Sequence, residues 1–159
     1  SSAFTLPAKA NGTITFKSSN TKVATVSSSG KVTVKGIGTA TITITAGDST
    51  YETVTKKVTV RVVPEAVKLT YVASKAKKSL SVKWDKMSGV SGFKIQYSTS
   101  KNFTNAKTSY VSGSRHSKSR ADLSAGKKYY VRVCAYKKVG NTTYEGKWSN
   151  VKSYTVKSK

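Results

Sequence analysis

The eight residues Tyr129–Tyr136, YYVRVCAY, alternate strictly. Tyr129, Val131, Val133 and Ala135 fall on one face at a period of two. Tyr130, Arg132, Cys134 and Tyr136 fall on the other. A helix needs apolar residues three and four apart, and this run lacks them. The stretch therefore predicts a central strand with one face turned into a core. Strands of the same kind precede it. Leu80, Val82 and Trp84 share a face in LSVKW, and Phe93, Ile95 and Tyr97 share one in FKIQY. Leu69 and Tyr71 mark an earlier strand, and Tyr110 and Val111 a short one. The residues between Ser98 and Leu123 are otherwise polar and weakly periodic, with Phe103 as an anchor for the crossing. Lys138–Thr142 reads as a turn and Val151–Val156 as the closing strand.

The first part of the chain shows the same period. Phe4 and Leu6 share a face before Pro7, which favours an edge or a bulge over a central strand. Asn11-Gly12 is a turn signal. Ile14 and Phe16 resume the alternation, followed by short strands at Val23–Val26 and at Val32 and Val34. Ala40, Ile42, Ile44 and Ala46 then face inward, opposite Thr39, Thr41, Thr43 and Thr45, and a last strand runs Val58–Val62. Residues Val63–Ala66 hold one Pro and form a short, stiff boundary. The reading is an all-β chain of two tandem β-sandwiches, with domains at 1–63 and 67–159 joined by a linker at 64–66. Two sandwiches so joined predict a rod.

Charge separates the two halves. Residues 1–64 hold 8 basic and 2 acidic side chains, +6, and residues 65–159 hold 21 and 4, +17, which together make the formal +23. Such a field attracts polyanions. Lysine on exposed strands also suppresses edge-to-edge pairing of sheets, so the charge has two readings, a solvated surface or a polyanion footprint. A single Cys excludes an internal disulfide. No apolar run approaches the roughly 18 residues that would span a bilayer.

Two resemblances sharpen the fold class. Residues 18–27, SSNTKVATVS, then Gly30-Lys-Val, then Gly36-Ile-Gly38-Thr-Ala-Thr-Ile-Thr, resemble a bacterial immunoglobulin-like domain of group 2 covering residues 1–62. That likeness implies that Val23 and Val26 enter the core. It also implies one more strand before Phe4, which here is missing or reduced to a stub. Leu123 and Tyr129, six residues apart, resemble the tyrosine corner of a fibronectin type III domain covering residues 65–159. Trp84 and Tyr97 stand where that family places its strand B tryptophan and strand C tyrosine. The resemblance implies a structural core of Trp84, Tyr97, Leu123 and Tyr129, with the Tyr129 hydroxyl returning to the backbone. The phrases GFKIQYSTSKNF, GKKYYVRVCAYK and GKWSNVKS are similar to those of surface proteins from Gram-positive gut bacteria. There a polar residue is commoner at the position of Cys134.

The likeness implies an extracellular stalk, spacer or adhesion module of a bacterial cell-surface or secreted protein. Catalytic constellations are not apparent in the residue order. His116 is the one histidine, no zinc set stands at ligand spacing, and the carboxylates are scattered. Gly36-Ile-Gly38 matches no nucleotide loop. No catalytic residue, metal or cofactor is expected. Three sequons, at Asn11, Asn102 and Asn141, are chance matches in a bacterial chain. Cys134 is expected as a small, half-buried thiol on the outer face.

The candidate ligand surface is the outer face of the second domain. Lys94, Tyr130, Arg132 and Tyr136 share it by parity. Lys137 and Lys138 extend from the end of the central strand, and Lys147 and Lys152 lie in or near the last one. Aromatics among cations can stack on sugars while the charges hold anions. The alternative is cross-strand packing that shields the sheet. The partners expected of a real site are cell-wall or host glycan polyanions or a host surface protein. Nucleic acid is not among them, because no recognition helix or comparable pattern is present. Neighbouring domains of a larger parent protein complete the list.

Overall fold

The structure, a computed structural model, describes residues 2–158. It divides between Val62 and Val63 into two compact units, each with its own core.

In the first unit, β1 (Ala3–Thr5), β4 (Lys31–Val34) and β3 (Ala24–Val26) form one antiparallel sheet. The second sheet comprises β2 (Ile14–Ser18), β5 (Gly38–Ala46) and β6 (Val54–Val62). The alternation read from sequence sets which residues meet. Val23, Ala24, Val32, Ala40, Ile42 and Val60 close the core, with Leu6, Phe16, Val26 and Val62 at its rim. Phe4 does not share the fate of Leu6, because it stays 43% exposed on a three-residue strand. The turn before β4 requires glycine. Gly30 has φ of 78°, and a Cβ there would lie 2.9 Å from both the Leu6 carbonyl oxygen and the Phe16 ring. β6 begins four residues earlier than expected and pairs β5 along its whole length. Its first half is exposed, which is why its apolar signal was confined to Val58–Val62.

In the second unit, β7 (Leu69–Ala73), β8 (Leu80–Trp84) and β11 (Ser117–Arg120) form one sheet, with β8 central. Facing it are β9 (Gly92–Ser98), β10 (Lys107–Ser112), β12 (Lys128–Val139), β13 (Thr142–Trp148) and β14 (Lys152–Thr155). β12 pairs β9 on one side, and β13 and then β14 along the other. Leu80, Val82 and Trp84 pack against Phe93, Ile95, Tyr97, Val131 and Val133, and the rings of Trp84 and Phe93 lie 5.3 Å apart. Burial of these side chains, each worth about 1.5–3 kcal/mol, dominates the stability of the unit.

Three expectations for this half change. β12 runs on to Val139, so Lys137 and Lys138 belong to the strand, and only Gly140 and Asn141 form the turn. Two strands went unread. β11 carries no sequence signal because SKSR offers no apolar alternation, and β13 carries none because a bulge opposite Ala135 breaks its period. That bulge contains Gly146, where a Cβ would meet the Pro64 carbonyl. Pro64 is buried. Cys134 faces outward by parity, yet it is buried, 1% exposed, because the bulged strand and its neighbours cover it.

Candidate functional site

The outer face of β9 and β12 brings Lys94, Tyr130, Arg132 and Tyr136 together. β12 is flanked by β13, which carries Lys147, and by β14, which carries Lys152. Lys137 is half-buried and Lys138 exposed at the end of β12, and Lys147 and Lys152 are exposed. Arg132 sits at the centre. Its guanidinium carbon lies 4.0 Å from the centroid of the Phe103 ring and 4.1 Å from that of Trp148, so the group is stacked on both faces. Its Nε and Nη2 both donate to Gln96 Oε1, at 2.9 and 2.7 Å. A planar cation with a fixed fork suits this double stack, which a lysine could not fill.

Lys94 is likewise engaged. Its Nζ lies 5.7 Å from the Trp148 ring centroid and 3.1 Å from both carboxylate oxygens of Glu145. Phe103, Arg132, Trp148, Lys94 and Glu145 thus form an alternating aromatic and charged ladder across four segments. The ladder roofs Cys134, whose thiol donates to the carbonyl of Gly146 at 3.1 Å. Burial pushes that thiol up from its ordinary value, with the Glu145 charge acting in the same direction. Burial also draws the Arg132 guanidinium down.

Aromatic surface remains at the two ends of the ladder. Tyr136 packs edge-on against Tyr110, with centroids 6.1 Å apart, and Tyr110 is 60% exposed. At the other end the Lys128 ammonium lies 5.7 Å from the Tyr130 ring centroid. Phe103 and Trp148 were absent from the expected site. Phe103 sits in a loop with φ of 58°, and Trp148 follows the bulge, so no parity argument reached either one. An outward arginine together with one aromatic left without a face, Trp148, was the signal available.

The four expected core residues are buried. Leu123 and Tyr129 lie at the corner between β11 and β12, and the Tyr129 hydroxyl accepts a hydrogen bond from the Ser124 N–H at 3.2 Å. Burial raises the Tyr97 phenol well above its ordinary range, while the nearby Arg120 charge pulls the other way. Arg120 also closes the gap between the edges of the two sheets. From β11 its Nη1 donates to the Thr108 carbonyl and to Ser109 Oγ on β10, at 3.1 and 3.0 Å. Its Nη2 donates to Asp122 Oδ2 at 3.1 Å, and Lys107 Nζ reaches the same carboxylate at 3.2 Å.

Among the described residues no group of three or more His, Cys, Asp or Glu side chains is placed to hold a metal ion. His116 is exposed, and its carbonyl accepts from the Trp84 N–H. Among the described residues no helix is long and apolar enough to cross a membrane.

Comparison with known proteins divides the chain in the same way. Residues 7–48 match the intimin immunoglobulin-like domain, and residues 63–152 match the fibronectin type III domain. Intimin of Escherichia coli O111:H- is 60% identical over 38 residues, which are 24% of this chain and 4% of that protein. Intimin of Citrobacter freundii is 51% identical over 45 residues, 28% of this chain and 5% of that protein. The chain therefore spans only a small fraction of these curated relatives. In structure, the FN1–FN3 domains of chicken CNTN1 are similar, with a TM-score of 0.53 at 17% identity. That match covers 80% of this chain and 48% of the other.

Proposed function

This chain belongs to the fibronectin type III family through residues 63–152, behind an intimin-type bacterial immunoglobulin-like domain, and on that premise we propose that it is a non-catalytic extracellular adhesion or spacer module of a larger bacterial protein. The observation that carries the reading is the tandem itself. Two separately cored β units follow one another, and neither draws on the other for the core clusters it closes. Units of this kind transmit position, and the same fold hosts many ligands, so attachment has to be argued from surfaces. Display on a cell surface or secretion is part of the proposal. The intimin relatives come from Gram-negative bacteria, and the Gram-positive gut setting rests on the phrases of the second half alone.

The outer-sheet ladder supports the spacer side of the reading. The two cations at its centre, Arg132 and Lys94, are stacked and bonded within the sheet, and both act there as braces. A glycan or cell-wall polyanion on this face would have to use Tyr130, Tyr136, Lys138 and Lys147, because Lys137 and Lys152 pair with Tyr144 and Val131, which face the core. Beads carrying the whole chain test the proposal in a flow cell over epithelial monolayers and over bacterial cell-wall fragments. Retention on either at about 0.15 M salt supports attachment. Background retention, with two unfolding steps when the same chain is pulled singly, supports a spacer. A single unfolding step would overturn the two-unit reading on which both rest.

A further inference from the structure

We propose that one end of the second unit is a docking surface for a linear acidic polysaccharide. The proposal deepens the polyanion reading and rests on it for the class of partner. Three segments meet at this end. The β7–β8 loop brings Lys75, Lys77 and Lys78, the β11–β12 corner brings Lys127 and Lys128, and the segment after β14 brings Lys157. Main-chain hydrogen bonds knit them together. The Lys78 N–H donates to the Lys157 carbonyl at 3.3 Å, and the Leu123 N–H donates to the Lys78 carbonyl at 3.0 Å. The Val156 N–H donates to the Lys127 carbonyl at 3.0 Å, and the Gly126 N–H to the Val156 carbonyl at 2.8 Å. Ser74 Oγ accepts from the Lys157 N–H at 2.9 Å. Positions far apart in sequence are thereby held in one cationic field.

All six lysines are exposed, and none takes part in an ion pair among the described residues. Among the described residues the one side-chain carboxylate at this end, Asp122, is already engaged by Arg120 and Lys107. The opposite end of the same unit carries Glu65 and Asp85 among Lys68, Lys86, Arg115, Lys137 and Lys138, so carboxylates there offset part of the charge. At the six-lysine end the charges stand close together with no carboxylate of their own, and their mutual repulsion would be relieved by a bound polyanion.

An open groove of about 660 Å³ runs beside the lysines, lined by Gly126, Lys128, Ser153, Tyr154, Lys157 and Ser158 among others. Tyr154 is 41% exposed in it. Ammonium groups, one open aromatic face and serine hydroxyls match the sulfates or carboxylates, the ring face and the hydroxyls of an acidic sugar. Lysine point charges lack the bidentate fork of arginine, which suits a flexible chain of repeated anions better than one fixed phosphate. An extended polymer can lie in an open groove, which a flat vesicle surface cannot enter. A duplex would need an element that projects into its own groove, and loops held by main-chain bonds supply none.

The test uses the whole chain at about 0.15 M salt with a heparin decasaccharide, poly-glutamate of matched charge, a single-stranded DNA of matched charge and phosphatidylserine vesicles. The triple variant Lys77→Gln, Lys127→Gln, Lys157→Gln is compared with Lys68→Gln, Lys86→Gln, Lys118→Gln, which removes the same charge elsewhere. The first triple should lower decasaccharide affinity about tenfold or more and flatten its salt dependence by about three ions, while the second changes affinity less than about threefold. Tyr154→Ala should weaken the decasaccharide severalfold and leave poly-glutamate unchanged. Lys77→Arg, Lys127→Arg, Lys157→Arg should retain binding, which separates charge loss from misfolding. Absence of decasaccharide binding by the unaltered chain overturns the polyanion reading itself. Equal losses from the two glutamine triples overturn only the location. Tighter binding of DNA or vesicles than of the decasaccharide, or no effect of Tyr154→Ala, overturns the polysaccharide as partner.

Discussion

Replacing Arg132 by lysine separates a brace from a ligand site, because it keeps the charge and removes the plane. The arginine fills the space between Phe103 and Trp148 at 4.0 and 4.1 Å and forks onto Gln96. Each stacked face contributes about 0.5–2 kcal/mol, and the charged hydrogen bonds to Gln96 about 1.5 kcal/mol together. The face is half-buried, so the lower part of each range applies. Arg132→Ala should then cost about 2–3 kcal/mol and Arg132→Lys about 1–2 kcal/mol. Urea unfolding of the whole chain, followed by tryptophan fluorescence, isolates the effect. Both tryptophans, Trp84 and Trp148, lie in the second unit, so the first unit is silent in this signal. A double-mutant cycle with Trp148→Leu should return a coupling of about 1 kcal/mol between the two positions. If Arg132→Lys leaves the urea midpoint unchanged, the stack carries no stability and the bracing argument is wrong. The face would then be open to reading as a ligand site again.

Other consequences follow from the same geometry. Tyr129→Phe should lower the stability of the second unit by about 1 kcal/mol in urea, through the orphaned Ser124 N–H, and Trp84→Ala by about 3–5 kcal/mol. A piece comprising residues 63–159 should give a cooperative thermal transition alone, and residues 1–62 a weaker one, since fewer large side chains close the first core. The Cys134 thiol should react with a chromogenic disulfide at pH 8 about a hundredfold more slowly in the folded chain than in urea, because it is buried and its titration is shifted upward. The Asp122 carboxyl is held below its ordinary value, first by the Arg120 hydrogen bond. Its contribution is present above the unfolded value near about pH 3.9 and is lost as pH falls through the lower folded value. The urea midpoints of the native chain and Asp122→Asn should therefore differ at pH 6 and converge on acidification below about pH 4.

Much of the architecture was legible because the cores obey a period of two. Leu80, Val82 and Trp84 and their partners on β9 and β12 are where parity puts them. What failed was the inference from silence. Ser117–Arg120 carries no apolar alternation, yet it pairs β8 in register as an edge strand, where both faces can be polar. The β13 strand was lost because its bulge puts Tyr144 inward and Trp148 outward, an offset that no single period contains.

The same limit explains the candidate site. Parity assigns a side chain to a face, and a face is then read as open because sequence gives no means of knowing what lies across it. Cys134, Lys94 and Arg132 were placed on the outer face on those grounds, and they are on it. The residues that cover them come from a loop and from beyond a bulge, at separations of 14 to 54 positions, so their covering is a tertiary fact. Cation excess hides structure in a second way. With 29 basic side chains against 6 acidic, a lysine's neighbours in sequence say little about whether it is neutralised. Only the fold distinguishes Lys94, held by Glu145, from Lys78 and Lys157, which meet across a main-chain hydrogen bond. Binding arguments for so basic a chain should therefore begin from which charges remain unpaired and crowded after folding. That criterion moves attention from the outer sheet to the loops at one end of the unit.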